Sequence, residues 1–69
     1  MEFSLKDKEY IELNNLLKYI SWAESGGQAK AFIREGEVAV NGELESRIRR
    51  KLRVGDEVAF NDKKCVVVD

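Results

Sequence analysis

Five basic residues occupy seven consecutive positions in the second half of the chain, and no acidic residue lies among them. They are Arg47, Arg49, Arg50, Lys51 and Arg53. Arginine binds phosphate with two parallel hydrogen bonds and stacks on exposed bases more readily than lysine does. A surface that is merely solvated usually mixes charges of both signs. The run therefore favours contact with a polyanion, and we interpret it as a nucleic-acid-binding segment.

A second group of polar residues lies at a predicted helix start, from Ser25 to Gln28. Ser25 is a favoured N-cap, and Gln28 three positions later completes a capping box. The two glycines between them leave backbone N–H groups open to an anion, but a tight turn between helices explains them as well, and the local sequence favours the turn. Lys30 and Arg34 follow at a spacing of four, which places both on one helix face. The buried face of this helix is predicted to be Ala29, Phe32 and Ile33, with Gly36 at its end.

The chain is poorly equipped for catalysis. It contains no histidine, the side chain best suited to proton transfer near neutral pH. The only cysteine, Cys65, opens an apolar strand, so we expect a small buried residue rather than a nucleophile. No Cys and His spacing fits zinc, and no loop of oxygen ligands fits calcium. We therefore expect no enzyme activity, no cofactor and no metal.

Length and charge set further limits. The 69 residues form one domain, residues 1–69, with a core too small to enclose a large cavity. The net charge of −1 alone argues against nucleic-acid binding. However, residues 28–53 hold seven basic and four acidic residues, a net charge of +3, whereas residues 1–27 and 54–69 each carry −2. Such polarity orients a molecule in the field of a polyanion.

The sequence also bears on the cellular location of the protein. The sequence MEFSLKDKEY has no apolar signal core, and no apolar run approaches the ~20 residues of a membrane span. A single cysteine allows no internal disulfide, which fits a reducing compartment. We expect a cytoplasmic protein with no membrane partner.

Periodicity predicts the elements in the first half of the chain. One apolar stripe has the spacing of an amphipathic helix: Leu13, Leu16, Leu17 and Ile20. With Asp7 as its N-cap, we place helix one at about residues 8–20. Before it, residues 2–6 alternate polar and apolar, which predicts a short strand with Phe3 and Leu5 on one face. We expect this strand at an edge of the sheet.

Two hairpins are predicted in the second half. In residues 37–40 both valines point inward, and Asn41-Gly42 is a strong signal for a tight turn into a short return at Glu43-Leu44. A turn at Val54-Gly55-Asp56 precedes the second hairpin. Its strands, at residues 57–60 and 65–68, flank four polar residues.

The segment between the hairpins, residues 46–53, breaks the alternation and is predicted to be irregular. Only Ile48 and Leu52 can anchor it to the core. The order of elements is one strand, two helices and then several strands. It predicts an α+β fold in which two helices pack on a small, mostly antiparallel sheet.

Three aromatic residues could stack on bases, namely Tyr10, Tyr19 and Trp22. We expect Trp22 to pack at the helix ends, as such residues more often do. Tyr19 lies off the leucine stripe of helix one and is expected to be the exposed ring.

Two segments resemble the S4-like RNA-binding domain. The first runs from Ser25 to Gly42 with the pattern S-x-x-Q-A-K-x-F-I-R-x-G-x-V-x-V-N-G, and the second runs from Val54 to Val58 with V-G-D-x-V. With the leucines of helix one, the resemblance covers most of the chain. The short length and the opening strand resemble the stand-alone bacterial branch of YbcJ-like proteins.

The resemblance implies an αL motif, in which two helices and a β-hairpin present helix two and the adjoining loops to structured RNA. By position it points to Gln28, Lys30 and Arg34 as contacts. Many members have arginine directly after the serine, where this chain has Gly26. One expected phosphate contact is thus missing, and the basic run is the candidate to replace it.

These observations together predict a non-catalytic RNA-binding protein. Its predicted contacts are Ser25, Gln28, Lys30, Arg34, Arg47, Arg49, Arg50, Lys51 and Arg53. The expected partner is a structured RNA, ribosomal or transfer, and we expect a monomer with no small-molecule substrate. Two alternatives stay open. A protein-interaction module could present the same basic face to an acidic partner, and charge alone does not separate RNA from DNA.

Overall fold

The computed structural model describes residues 1–69 and places two helices against one sheet. The helices are α1 (Leu13–Tyr19) and α2 (Gly26–Arg34). The strands are β1 (Glu2–Ser4), β2 (Ile11–Glu12), β3 (Val38–Val40), β4 (Glu43–Leu44), β5 (Lys51–Leu52), β6 (Glu57–Phe60) and β7 (Lys63–Val68). The predicted α+β class is confirmed.

Five strands form one sheet in the order β1-β7-β6-β3-β4. Within it β7, β6, β3 and β4 pair antiparallel, and β1 alone runs parallel to its neighbour, with Glu2 opposite Val66. The sheet is therefore mostly antiparallel and its N-terminal strand lies at an edge, as predicted. The two remaining strands, β2 and β5, pair with each other.

A single hydrophobic core joins both helices to the sheet. The helices contribute Leu13, Leu16, Leu17, Ala29 and Ile33, and the sheet contributes Val38, Val40, Val58, Phe60 and Val67. Burying one leucine side chain contributes roughly 1.5–3 kcal/mol. The leucine stripe therefore fixes the position of α1. Burial of Ala29 and Ile33 orients α2 so that Lys30 points away from the core.

Helix α2 forms as its end signals predict. The Ser25 hydroxyl oxygen accepts the backbone N–H of Gln28 at 3.1 Å. At the other end, Gly36 adopts a φ of 74°, and its N–H donates to the carbonyl of Ile33 at 3.2 Å. A glycine with positive φ at this position ends a helix without steric cost.

Helix one is shorter than the predicted 8–20, because α1 begins only at Leu13. The two residues before it form β2, and Glu12 rather than Asp7 occupies the N-cap position. Asp7 instead has a φ of 70° and lies in a turn directly after β1. The amphipathic stripe was correct, but pairing with a distant strand overrides the helical preference of the residues before it.

The second half needs two smaller corrections. Lys51 and Leu52, predicted to be irregular, form β5. β7 begins at Lys63, so the second hairpin turns through Asn61-Asp62 alone. The first hairpin is as predicted, since Asn41 and Gly42 have φ of 53° and 86°, the backbone of a type I′ turn.

Candidate nucleic-acid interface

The basic loop, residues 45–53, is fixed to the start of α1 by its backbone. The N–H groups of Leu13 and Asn14 donate to the carbonyl oxygens of Arg50 and Ile48 at 2.8 and 3.1 Å. A helix leaves these first N–H groups without partners of its own, so the loop caps α1. Beyond them, β5 pairs with β2 and buries Leu52. The predicted anchors Ile48 and Leu52 both reach the core.

Glu45 organises the side chains of the basic loop. Its residue surface is only 6% exposed. Its carboxylate accepts Nε and Nη2 of Arg47, each at 3.0 Å, the Arg47 backbone N–H at 2.9 Å, and Nη1 of Arg50 at 2.8 Å. These bonds from Arg47 and then Arg50 outweigh burial and lower the pKa of Glu45 to about 2. The carboxylate therefore stays ionised and holds both guanidinium groups in place.

Four cations surround one open recess beside this carboxylate. Arg47, Arg49, Arg50 and Lys51 line a space of about 460 Å³, and no apolar side chain takes part. Arg49 and Lys51 form no salt bridge. Concentrated charge of one sign on a concave surface attracts counter-ions, and this recess is suited to oxygen anions such as phosphate.

Tyr10 extends this cationic surface to Arg53. The Lys51 ammonium and the Arg53 guanidinium lie 5.0 and 5.5 Å from the centroid of the Tyr10 ring, within the range of cation–π interactions. The Arg53 backbone N–H donates to Asp56 Oδ2 at 2.9 Å, and Asn41 Nδ2 donates to the other oxygen of Asp56 at 3.0 Å. Partial burial raises the pKa of Asp56. The two hydrogen bonds lower this pKa by more than burial raises it, so the net shift is downward. The charged Asp56 thus ties the end of the loop to the first hairpin.

The polar residues at the start of α2 are used mainly in its cap. While Ser25 accepts from Gln28, the Gln28 side-chain oxygen accepts the N–H of Glu24 at 2.6 Å. The predicted capping box is therefore only half formed, because in a complete box the Gln28 side chain would accept the backbone N–H of Ser25. Of these two side chains, the Ser25 hydroxyl proton and the Gln28 amide group stay free to donate to a ligand. Lys30 and Arg34 are exposed and form no salt bridge.

Lys18 supplies a cation at the position of the missing arginine. Its Nζ lies 3.9 Å from the point where a Cβ at Gly26 would stand. Lys18 lies in the last turn of α1, where a positive charge is favoured by the helix dipole. It therefore brings an ammonium group to the first residue of α2.

The predicted contact residues form two separate groups. The arginines and lysine of the basic loop share the recess and its extension through Tyr10, whereas no residue of α2 lines that recess. The sequence interpretation named Tyr10 only as a ring that could stack on bases, and it missed Glu45 and Lys18. An acid two positions before the first arginine was a visible signal for Glu45, whereas Lys18 and Tyr10 reach their places only through tertiary packing.

Three further expectations concern single residues. Trp22 packs against the core, with its ring centroid 6.2 Å from that of Phe60, and Tyr19 is exposed, both as predicted. Cys65 is fully buried, and burial raises the pKa of its thiol. No cluster of three or more His, Cys, Asp or Glu side chains is positioned to hold a metal ion. Neither helix has the length and hydropathy needed to cross a membrane.

The fold and the recess define a small α+β domain with a cationic face built on a helix pair and a loop. Residues 3–68 match the family model described as the S4 domain, and the chain belongs to this family. The resemblance seen in the motifs is therefore confirmed over nearly the whole chain.

Relatives of known name point the same way. The chain is 46% identical over 66 residues to YbcJ of Escherichia coli (strain K12), which is provisionally named an RNA-binding protein, and the match covers 96% of this chain and 94% of YbcJ. It is 50% identical over 52 residues to RlbA of Bacillus subtilis (strain 168), named a probable ribosome maturation protein, over 75% and 73% of the two chains. The solution structure of Escherichia coli YbcJ, described as having an αL motif involved in RNA binding, aligns with a TM-score of 0.76 and 44% identity, covering 99% of this chain and 86% of that one.

Proposed function

We propose that this chain is a non-catalytic protein that binds structured RNA through the basic loop and the exposed face of α2. The recess of the basic loop carries the proposal. Four cations and the one carboxylate of Glu45 leave a net charge of +3 around an open space of about 460 Å³. Phosphate contacts supply much of the affinity of nucleic-acid complexes, and such a recess provides them. Membership of the S4 domain family supports RNA as the polyanion.

The recess fits the backbone of an RNA rather than its bases. It has no apolar or aromatic lining, and its donors are guanidinium and ammonium groups, which phosphate oxygens accept from. Contacts of this kind fix the register of a protein on a helix without reading the sequence. The proposed recognition by this loop therefore depends on the shape of a folded RNA.

The second contact in the proposal is the polar face of α2. Lys30 and Arg34 are exposed, and no carboxylate neutralises them. Lys18 adds an ammonium group beside Gly26, at the start of the same helix. With the free amide group of Gln28 and the Ser25 hydroxyl, these side chains provide donors for a second stretch of phosphates.

Of ribosomal and transfer RNA, we propose ribosomal RNA as the partner, because the Bacillus subtilis relative is named a probable ribosome maturation protein. We also propose that the protein acts as a monomer in the cytoplasm. A catalytic role has no support from the residues at the interface, since the chain has no histidine and its one thiol is buried.

The decisive test compares two charge reversals of equal size. Arg49→Glu with Lys51→Glu changes the basic loop, and Lys63→Glu with Lys64→Glu changes exposed lysines of the second hairpin. Binding to a ribosomal RNA fragment is measured by fluorescence anisotropy at several salt concentrations. The loop variant should lose about 10-fold or more in affinity, and its log–log salt slope should fall by about 1.4–1.8, the value for two phosphate contacts. The hairpin variant should keep the wild-type slope.

Equal losses in both variants would show that only net charge matters and that the loop is not the site. Amide chemical-shift mapping then provides an independent check, with changes expected within residues 25–34 and 46–53. Duplex DNA at the same salt concentration distinguishes the two nucleic acids. A partner that is captured from cells and survives nuclease treatment, together with no RNA affinity, would favour a protein-interaction module instead.

A further inference from the structure

A groove of about 600 Å³ opens between the turn after β1 and helix α1. Phe3, Tyr10 and Tyr19 line it, and Lys6 and Lys8 stand on its wall. Its size falls within the roughly 300–1,000 Å³ of small-ligand sites, and a lining of rings with a few polar groups is typical of such sites. No residue of the basic loop or of α2 lines this groove.

The aromatic residues of the chain divide into two sets. One set packs in the core, where the ring centroids of Trp22 and Phe60 are 6.2 Å apart and those of Phe32 and Phe60 are 4.6 Å apart. The other set lines the groove. There Tyr19 remains 72% exposed, although its ring centroid lies 6.0 Å from that of Phe3. A large ring left in water beside a second ring offers a flat face on which a nucleobase can stack.

A strained turn carries two lysines to the same groove. Lys6 and Asp7 have φ of 53° and 70°, and the N–H of Lys8 donates to the carbonyl of Leu5 at 3.2 Å. A lysine rarely adopts this left-handed backbone, and strain of this kind is concentrated at functional sites. The groove wall includes one carboxylate, Glu12, so its net charge is +1.

The groove is continuous with the basic loop. Its wall includes β2, which pairs with β5 so that Glu12 lies opposite Lys51. Tyr10 belongs to both surfaces, because it lines the groove and carries the Lys51 and Arg53 cations over its ring. Neighbouring strands are about 4.8 Å apart. The groove and the basic loop are therefore adjacent on the surface of the protein.

We propose that this groove receives an unpaired base of the same RNA whose phosphates the basic loop holds. This proposal rests on the RNA-binding function proposed above. The base stacks on Tyr19, the Asn15 amide on the groove wall offers hydrogen bonds to its edge, and Lys6 and Lys8 meet the flanking phosphates. Stacking on an aromatic ring tolerates any base, so the groove selects for an unpaired nucleotide rather than for a sequence.

The test uses three RNA hairpins of the same stem. One carries a single unpaired adenosine, the second has an abasic ribose at that position, and the third is fully paired. Tyr19→Ala removes the ring, Tyr19→Phe keeps it without the hydroxyl, and Leu44→Ala is the control because Leu44 is also 72% exposed but lies on β4. Circular dichroism melting verifies that each variant is folded.

We expect Tyr19→Ala to weaken binding to the adenosine hairpin by about 10-fold, within the roughly 5- to 150-fold range for one stacked base. Its binding to the abasic and paired hairpins should be unchanged, and Tyr19→Phe and Leu44→Ala should behave as wild type on all three. Equal loss on all three hairpins, or no loss on the adenosine hairpin, overturns the base site alone. If wild-type protein binds none of the hairpins and no ribosomal RNA fragment, the proposed function fails and the base site fails with it.

Discussion

Replacing Glu45 by glutamine tests whether the basic loop acts through charge alone or through its shape. The change removes a negative charge from a group of cations, so charge alone predicts tighter RNA binding. However, the carboxylate accepts four hydrogen bonds from Arg47 and Arg50. A glutamine cannot accept them all, because its nitrogen only donates. We expect the arginines to lose their fixed positions and Glu45→Gln to bind RNA more weakly than wild type.

The pKa of Glu45 limits the accompanying loss of stability. Arg47 and Arg50 lower it from 4.5 to about 2. Because one pKa unit corresponds to about 1.36 kcal/mol, this pairing contributes at most about 3 kcal/mol to the free energy of unfolding. The Arg47 side chain is 71% exposed, so solvent screens part of the attraction. We therefore expect Glu45→Gln to lower the free energy of unfolding by about 1–2 kcal/mol at pH 7.

Urea unfolding across a pH series checks this value. Because folding lowers the pKa of Glu45, its contribution is complete above pH 4.5 and disappears as the pH falls towards about 2. The stability gap between wild type and Glu45→Gln should close over that window. Glu43→Gln is the charge-matched control, since Glu43 is exposed and forms no salt bridge. A Glu45→Gln protein as stable as wild type at pH 7, or one that binds RNA as tightly as Glu43→Gln, refutes the reasoning.

Two other substitutions and one labelling experiment have defined outcomes. Gly26→Arg should steepen the salt slope of RNA binding by about 0.7–0.9, because a Cβ there meets only Lys18 Nζ at 3.9 Å and the added guanidinium provides one phosphate contact. An unchanged slope contradicts this expectation. Asn41→Gly keeps the positive φ but removes two side-chain hydrogen bonds, one donated to Asp56 and one accepted from the Glu57 N–H. It should lower the free energy of unfolding, measured in urea, by about 1–2 kcal/mol. Cys65 should react with iodoacetamide only at the rate of unfolding, because it is fully buried; fast labelling of native protein would contradict this.

Local signals predicted α2 and the first hairpin correctly because each depends on residues a few positions apart. Each signal sets the backbone of its own few residues: Ser25 and Gln28 start α2, Gly36 ends it, and Asn41-Gly42 forms the hairpin turn. The start of helix one could not be predicted in this way. Ile11 pairs with Leu52, 41 positions later, and a two-residue strand has no periodicity of its own.

The candidate site was predictable to a similar extent. The cations of the basic loop are visible in the sequence itself, and they cluster in space because they are close together in the chain. Their arrangement depends on the burial of Glu45, and on backbone bonds between the loop and α1, which connect residues more than 30 positions apart. Tyr10 meets Lys51 and Arg53, more than 40 positions later, and Lys18 meets Gly26 across the turn between the helices, so no local pattern marks either contact.

The parallel pairing of β1 with β7 has a consequence for when each surface exists. β1 joins the sheet only through β7, and its residue Glu2 meets Val66, 64 positions later. Such a pair closes a long loop and therefore forms late in folding, and an edge strand is among the first elements to detach. Phe3 and Lys6 leave the groove whenever β1 detaches, whereas the basic loop is held by α1 and β2. The basic loop is thus positioned independently of β1, whereas the groove is complete only while β1 is paired with β7.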